Sequence, residues 1–195
     1  MVAAEAIRRM QDECTAAWHG EFHDPGLTGL MEIAMQQHRA NFDLWHQEDE
    51  ARDPSASDAK IAGLKHAIDS LNQRRNDLVE RLDTLLIAEA GAMQPEAPLH
   101  SETPGMMIDR LSILSLKTYH MKEEWTRTTA SEAQRIRNGS RFELLQEQQD
   151  DLARCLDRLW RDVQQGNRRF KLYRQMKMYN DPDLNPAVYR NEIAG

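Results

Sequence analysis

Apolar residues recur along most of this chain at the three- and four-residue spacing of an α-helix. No window alternates convincingly between apolar and polar residues at period two, as a half-buried strand would. The spacing predicts a short first helix from about Ile7 to Ala17 and a second from an N-cap at Thr28 to Arg52, just before an Asp-Pro pair. The pattern therefore predicts an all-α fold.

A capping signal predicts the fourth helix, and an apolar seam predicts the third. Thr103 followed by Pro104 is an N-cap with proline at the first helical position, and it predicts the start of a fourth helix. A third helix, starting near Asp58, is predicted from a heptad-like seam. That seam consists of Ile61, Leu64, Ile68, Leu71, Arg75, Leu78, Leu82 and Leu85.

The last helix is predicted from a break and a capping pattern. An Asn-Gly pair at 138–139 interrupts or ends the fourth helix. Ser140 and Glu143 then form a capping-box pattern that starts a last helix, whose apolar seam reaches Tyr173. Residues 179–195 are predicted to be non-helical.

Length and composition fit one folded domain. The chain has 195 residues, of which 40% are hydrophobic and 29% are charged, which is typical of a folded, water-soluble protein. We therefore expect a single-domain antiparallel helical bundle of about five helices over residues 1–178, followed by a C-terminal tail over 179–195.

Charge and hydropathy argue against two classes of partner. The formal net charge of −7 disfavours general affinity for nucleic acid, and we interpret a basic stretch within residues 154–177 as a solvated helix face or the counterpart of acidic helices. No stretch approaches the roughly 18 to 20 uncharged apolar residues of a membrane span, and the first residues carry charges where a signal peptide needs an apolar segment. We expect a cytoplasmic protein.

Polar side chains continue the inward face of the second helix. At about 100° per residue, the stripe from Leu27 to Met35 runs into polar and aromatic positions, and polar residues also interrupt or flank the seams of the third and fourth helices. These positions are His38, Asn41, Trp45, Glu48, Asp49 and Arg52 on the second helix, Asp69, Asn72, Arg75 and Asn76 on the third, and Asp109, Arg110, Lys117 and His120 on the fourth. We predict one polar cleft among the three helices.

Two hypotheses explain this constellation, because ions on inward faces must pair, bind a ligand or line a wet cleft. In the first, the cleft binds or processes a small anionic ligand. The cations Arg52, Arg75, Arg110 and Lys117 would hold phosphate or carboxylate, and His38, Glu48 and Asp49 would be available for proton transfer. In the second, the polar residues are structural ion pairs of a non-enzymatic module that presents helix faces to a partner protein or to a second copy. Whether the protein is an enzyme stays open.

Metal-binding patterns are sparse. The chain contains no Glu-x-x-His, no His-Glu-x-x-His and no phosphate-binding glycine motif. Glu48, Asp49 and Asp69 supply only part of the acidic set that a magnesium site on two adjacent helices needs. We expect no metal and no cofactor, so chelator should leave the melting temperature unchanged.

Four strings of the sequence carry a resemblance to a known family. They are "HRANFDLWHQEDEAR", "KHAIDSLNQRRNDLVERLD", "SETPGMMIDRLSILSLKTYHM" and "KMYNDPDLNP". Together they resemble a bacterial family, domain-of-unknown-function family 4254, over about residues 30 to 190. The resemblance implies no assigned activity. It implies a genomic context near glycosyltransferases of envelope polysaccharide assembly, and hence a glycan-related ligand. Its motif residues coincide with the polar positions above and add Asp77 and Glu102.

Overall fold

Five α-helices make up 74% of the part of the chain that the computed structural model describes, which is residues 3–20, 26–176 and 183–185. They are α1 (Ala4–Trp18), α2 (Gly29–Ala51), α3 (Asp58–Ala90), α4 (Pro104–Thr126) and α5 (Glu132–Gln164). These described residues form no strand, and an isolated parallel bridge joins Leu99 to Arg169. The predicted all-α fold of about five helices is confirmed.

The starts of α3 and α4 follow the capping signals in the sequence. The Ser57 hydroxyl accepts a hydrogen bond from the Lys60 amide at 3.3 Å. The Thr103 hydroxyl accepts one from the Met106 amide at 3.2 Å, with Pro104 at the first helical position. Each cap satisfies an amide that has no partner inside its helix.

The boundary between α4 and α5 lies before the predicted one. α4 ends at Thr126, and Ser131 is the N-cap of α5. The Ser131 hydroxyl accepts from the Gln134 amide at 3.3 Å, and the Gln134 side chain accepts from the Ser131 amide at 2.9 Å. This is a capping box in which glutamine takes the place of glutamate.

The predicted break at Asn138-Gly139 is therefore wrong, because both residues lie inside α5, as do Ser140 and Glu143. Gly139 is buried against the side chain of Trp125. A Cβ atom at this position would lie 2.9 Å from the Trp125 Nε1. The glycine thus allows close packing of α4 on α5 and does not end a helix.

The last helix is also shorter than predicted. α5 ends at Gln164, and Gly166 follows with a φ of 74°, a backbone conformation that favours glycine. Phe170 and Tyr173, which the seam placed on the helix, lie in the extended segment beyond it. Phe170 is 2% exposed and Tyr173 is 39% exposed. Most of the predicted tail, 179–182 and 186–195, lies outside the described residues.

α4 occupies the middle of the bundle and contacts each of the other four helices. The α2–α3 and α4–α5 pairs pack as two helical hairpins, and α1 lies across α2, α4 and α5. The core between them contains, among others, Ile7, Leu82, Leu86, Ile108, Leu111, Leu156 and Trp160. Burial of each such side chain contributes roughly 1.5 to 3 kcal/mol. None of the described helices is long and apolar enough to cross a bilayer.

Candidate functional site

A cleft of about 370 Å³ opens between α2, α3 and α4. Its walls are Asn41, Leu44, Trp45, Glu48, Asp49, Arg52, Asn72, Arg75, Ile113 and Leu116. Three successive turns of α2 and one face of α3 supply the polar members, and α4 supplies apolar ones. The structure thus brings together half of the residues that helical periodicity singled out.

The two cations of this cleft have different surroundings. Arg52 lies at the rim, where its side chain is 67% exposed and its Nη2 is 3.1 Å from the Glu48 carboxylate. Arg75 lies deeper, with 28% of its side chain exposed. Its Nε is buried and makes no hydrogen bond among the described residues. The Asp109 carboxylate is 3.7 Å away, too far for a hydrogen bond.

Asp109 on α4 is the carboxylate that faces Arg75. Its side chain is 15% exposed. It accepts a hydrogen bond from Asn41 Nδ2 at 2.9 Å and another from Gln37 Nε2. Burial raises the pKa of Asp109, whereas Arg75 and the Asn41 hydrogen bond oppose that rise. The carboxylate therefore has two amide donors besides the guanidinium.

His38 lies in the core and does not line the cleft. It is fully buried, and this burial lowers its pKa to about 3. Its Nε2 lies 2.9 Å from the Thr15 hydroxyl and its Nδ1 2.7 Å from the Ser112 hydroxyl. The imidazole therefore joins α1, α2 and α4 and is out of reach of a ligand in the cleft.

The hydrogen-bond directions around His38 define its tautomer. The Thr15 hydroxyl donates to the Gln11 carbonyl at 2.9 Å, so it accepts from His38 Nε2–H. The Ser112 hydroxyl accepts from Asn41 Nδ2 at 2.9 Å and donates to His38 Nδ1. A neutral ring satisfies both hydroxyls.

The remaining predicted residues are distributed over other surfaces. Arg110 binds the Glu102 carboxylate at 2.8 and 2.9 Å, and with Lys117 it lines a second cavity, of about 650 Å³, between α4 and α5. Asp69 pairs with Lys65 one turn away on α3. Asn76 is half-buried on α3, outside the lining of the cleft.

His120 belongs to a cluster that the sequence did not reveal. Its ring stacks on Trp45 with centroids 4.8 Å apart. One ring nitrogen from each of His19, His46 and His120 lies within 4.8 Å of the others. Burial lowers the pKa of His46, and the neighbouring His19 and His120 lower it further. The three residues come from three helical elements that are far apart in sequence, so no short sequence motif could have predicted the cluster.

A family model confirms the resemblance seen in the sequence. The model described as "Protein of unknown function (DUF4254)" matches residues 31–172, which include the whole cleft. No curated protein and no solved structure matches the chain. The chain belongs to the family of proteins of unknown function named DUF4254.

Proposed function

We propose that the cleft between α2, α3 and α4 binds a small anionic ligand. Arg75 carries the proposal, because its buried Nε makes no hydrogen bond to any residue that the structure describes, and the Asp109 carboxylate is 3.7 Å away. A phosphate or carboxylate would supply the missing acceptors in the planar, two-pronged geometry that guanidinium favours.

The rest of the lining supports a ligand with sugar-like character. Trp45, Leu44 and Ile113 form an apolar wall suited to the non-polar face of a ring. Glu48 and Asp49 lie where they could accept hydrogen bonds from ligand hydroxyls, and they are the groups available for proton transfer. If the ligand is a sugar phosphate or a uronic acid, we propose that the protein acts in envelope polysaccharide assembly. Its cytoplasmic location is a prediction from the sequence.

A thermal-shift screen tests the proposal with inorganic phosphate, sugar phosphates, uronic acids and neutral sugars. A bound anion at 100 times its dissociation constant should stabilise the wild type by about 2.7 kcal/mol. Arg75→Leu should abolish the shift. Arg110→Leu is the matched control, because this cation pairs with Glu102 on the α5 side of α4 and should leave the shift unchanged.

The same variant separates a ligand role from a structural one. In Arg75→Leu, the Asp109 carboxylate keeps its hydrogen bonds from Asn41 and Gln37. We therefore expect a loss of less than about 2 kcal/mol in unfolding free energy by urea denaturation. A loss of about 3 to 5 kcal/mol would instead identify Arg75 as a structural partner of Asp109. Equal anion shifts in wild type and Arg75→Leu would also contradict the proposal.

A non-enzymatic interaction module is the second candidate. It is favoured by two apolar side chains of α5, Ile136 and Leu144, which are 64% and 51% exposed. Burial of these side chains against a partner protein or a second copy would be favourable. A monomer in light scattering over a wide concentration range would remove self-association from this alternative.

A further inference from the structure

We propose that His19, His46 and His120 bind one divalent transition-metal ion of the zinc type, with one coordination position left open. The three side chains come from the C-terminal cap of α1, the last two turns of α2 and the second half of α4. One ring nitrogen of each lies within 4.8 Å of the other two. The site is separate from the proposed anion site and does not rest on it.

The spacing of the nitrogens is close to what a tetrahedral ion requires. Zinc–nitrogen bonds of about 2.0 to 2.1 Å at tetrahedral angles place ligand nitrogens roughly 3.3 to 3.4 Å apart. The nitrogens all lie within 4.8 Å of one another, so the widest separation has to close by up to about 1.5 Å. His19 can supply this movement, because it is exposed and follows the last residue of α1.

Hydrogen bonds leave two of the rings with a free ligand atom. His19 Nδ1 lies 2.8 Å from the Thr15 carbonyl, which can only accept, so His19 Nε2 keeps a lone pair. His120 Nδ1 lies 2.9 Å from the Glu123 carboxylate. His120 Nε2 is buried and has no hydrogen-bond partner among the described side chains. Metal-binding histidines commonly donate their other N–H to a carbonyl or a carboxylate in this way.

Aromatic neighbours restrict the orientation of the three rings. Tyr119 stacks on His19 at 4.4 Å between centroids, and Trp45 stacks on His120 at 4.8 Å. The Phe42 ring meets both His19 and His46 edge to face, at 4.8 and 4.5 Å. Each of the three imidazoles therefore has a ring contact that limits its rotation before an ion binds.

The donor set indicates which ions fit. Three neutral imidazoles suit zinc, copper, nickel or cobalt, whereas magnesium and calcium require oxygen ligands. Three protein ligands with a water in the fourth position are typical of catalytic zinc sites, and structural sites use four protein ligands. His19 is exposed, so solvent can reach the cluster at this residue. This proposal replaces the expectation from sequence that the protein needs no metal.

Calorimetric titration with zinc chloride tests the site in the full chain, produced without a polyhistidine tag and treated with chelator beforehand. We expect one zinc ion per chain. His19→Ala should weaken the affinity at least about 100-fold, and it is the least disruptive variant for the fold because the side chain is exposed. Glu123→Ala should weaken it by about 10-fold, through loss of the hydrogen bond to His120.

His66→Ala is the matched control, since His66 is exposed on α3 and should not change zinc affinity. Circular dichroism checks that each variant is folded, and the visible spectrum of added cobalt reports tetrahedral nitrogen coordination. His46→Ala and His120→Ala, where folded, should match His19→Ala. The proposal is overturned if folded wild type binds no zinc at micromolar concentrations, or if zinc binds His19→Ala and wild type equally well.

Discussion

His38 shows how one residue can satisfy a helical pattern and still have a different role from the one predicted. The stripe of α2 correctly places it on the inward face. Its partners Thr15 and Ser112 lie 23 and 74 positions away in sequence, so the pattern could not distinguish a core position from a cleft wall. The same reasoning applies to His19, His46 and His120, which only tertiary packing brings together.

The buried imidazole should make stability depend on pH. The pKa of His38 is about 3 in the folded chain against an ordinary value of 6.5, so the unfolded chain binds more protons between these values. The contribution of His38 is therefore fully present above pH 6.5 and is lost as pH falls towards 3. His38→Gln should cost about 1 to 3 kcal/mol at pH 7, and this cost should shrink as the pH is lowered.

Urea denaturation of wild type and His38→Gln at several pH values measures that difference. His66→Gln is the control, because the exposed His66 should give the same small difference at every pH. A cost of His38→Gln that is constant from pH 7 to pH 4 would show that His38 is not held neutral by burial.

At the scale of elements, the start of α4 is fixed from outside by α3. The buried Asp83 carboxylate accepts hydrogen bonds from the Gly105 amide at 2.7 Å and from the Thr103 hydroxyl. A carboxylate at a helix N-terminus also interacts favourably with the helix dipole. The Thr103-Pro104 pair predicted where α4 begins. No sequence pattern indicated that Asp83, twenty residues earlier, would accept hydrogen bonds from the first residues of α4.

Gly105→Ala should destabilise the protein by about 1 to 3 kcal/mol. The added Cβ would lie 2.7 Å from Asp83 Oδ1 and 2.8 Å from the Val79 carbonyl, which is backbone and cannot turn aside. Gly63→Ala is the matched control in α3, where a Cβ meets no atom of the described part of the chain within 4 Å. It should stabilise by about 0.5 to 1 kcal/mol, because alanine favours helix. Equal effects of the two substitutions in chemical denaturation would contradict this account.

The boundary between α4 and α5 marks the limit of reasoning from single residues. Gly139 is a helix breaker in isolation, yet its missing side chain is what lets Trp125 pack against it. Ser131 and Gln134 carried the true capping signal, but glutamate after Ser140 matched the motif more closely. Local patterns therefore predicted the number of helices and their order, whereas the packing of Gly139 against Trp125 accounts for the continuation of α5 through the predicted break.

At the scale of the whole molecule, the segment after α5 is joined to the connection between α3 and α4. The His100 amide donates to the Arg169 carbonyl at 2.8 Å, and the Arg169 amide donates to the Pro98 carbonyl at 3.2 Å. Phe170 then enters the core. The apolar seam correctly marked Phe170 as inward, although not as part of a helix.

Phe170→Ala should cost about 3 to 5 kcal/mol of unfolding free energy, because the residue is 2% exposed and its removal leaves a cavity. Tyr173→Ala, in the same segment but 39% exposed, should change stability by less than about 1 kcal/mol. Chemical denaturation measures both. Similar losses in the two variants would contradict this prediction. They would fit the expectation from sequence that Phe170 and Tyr173 both lie on the buried face of one helix.

The arrangement of the helices also affects how the chain reaches its fold. α2 with α3, and α4 with α5, are neighbours in sequence joined by short connections, so each hairpin closes at a small cost in chain entropy. α1 is different, because its Gln11 side chain donates to the Ile108 carbonyl across 97 residues. The entropic cost of closing so long a loop is offset only when the surface of α4 has already formed and α1 can pack on it. α1 is thus synthesised before α4, although the docking of α1 depends on the surface that α4 provides.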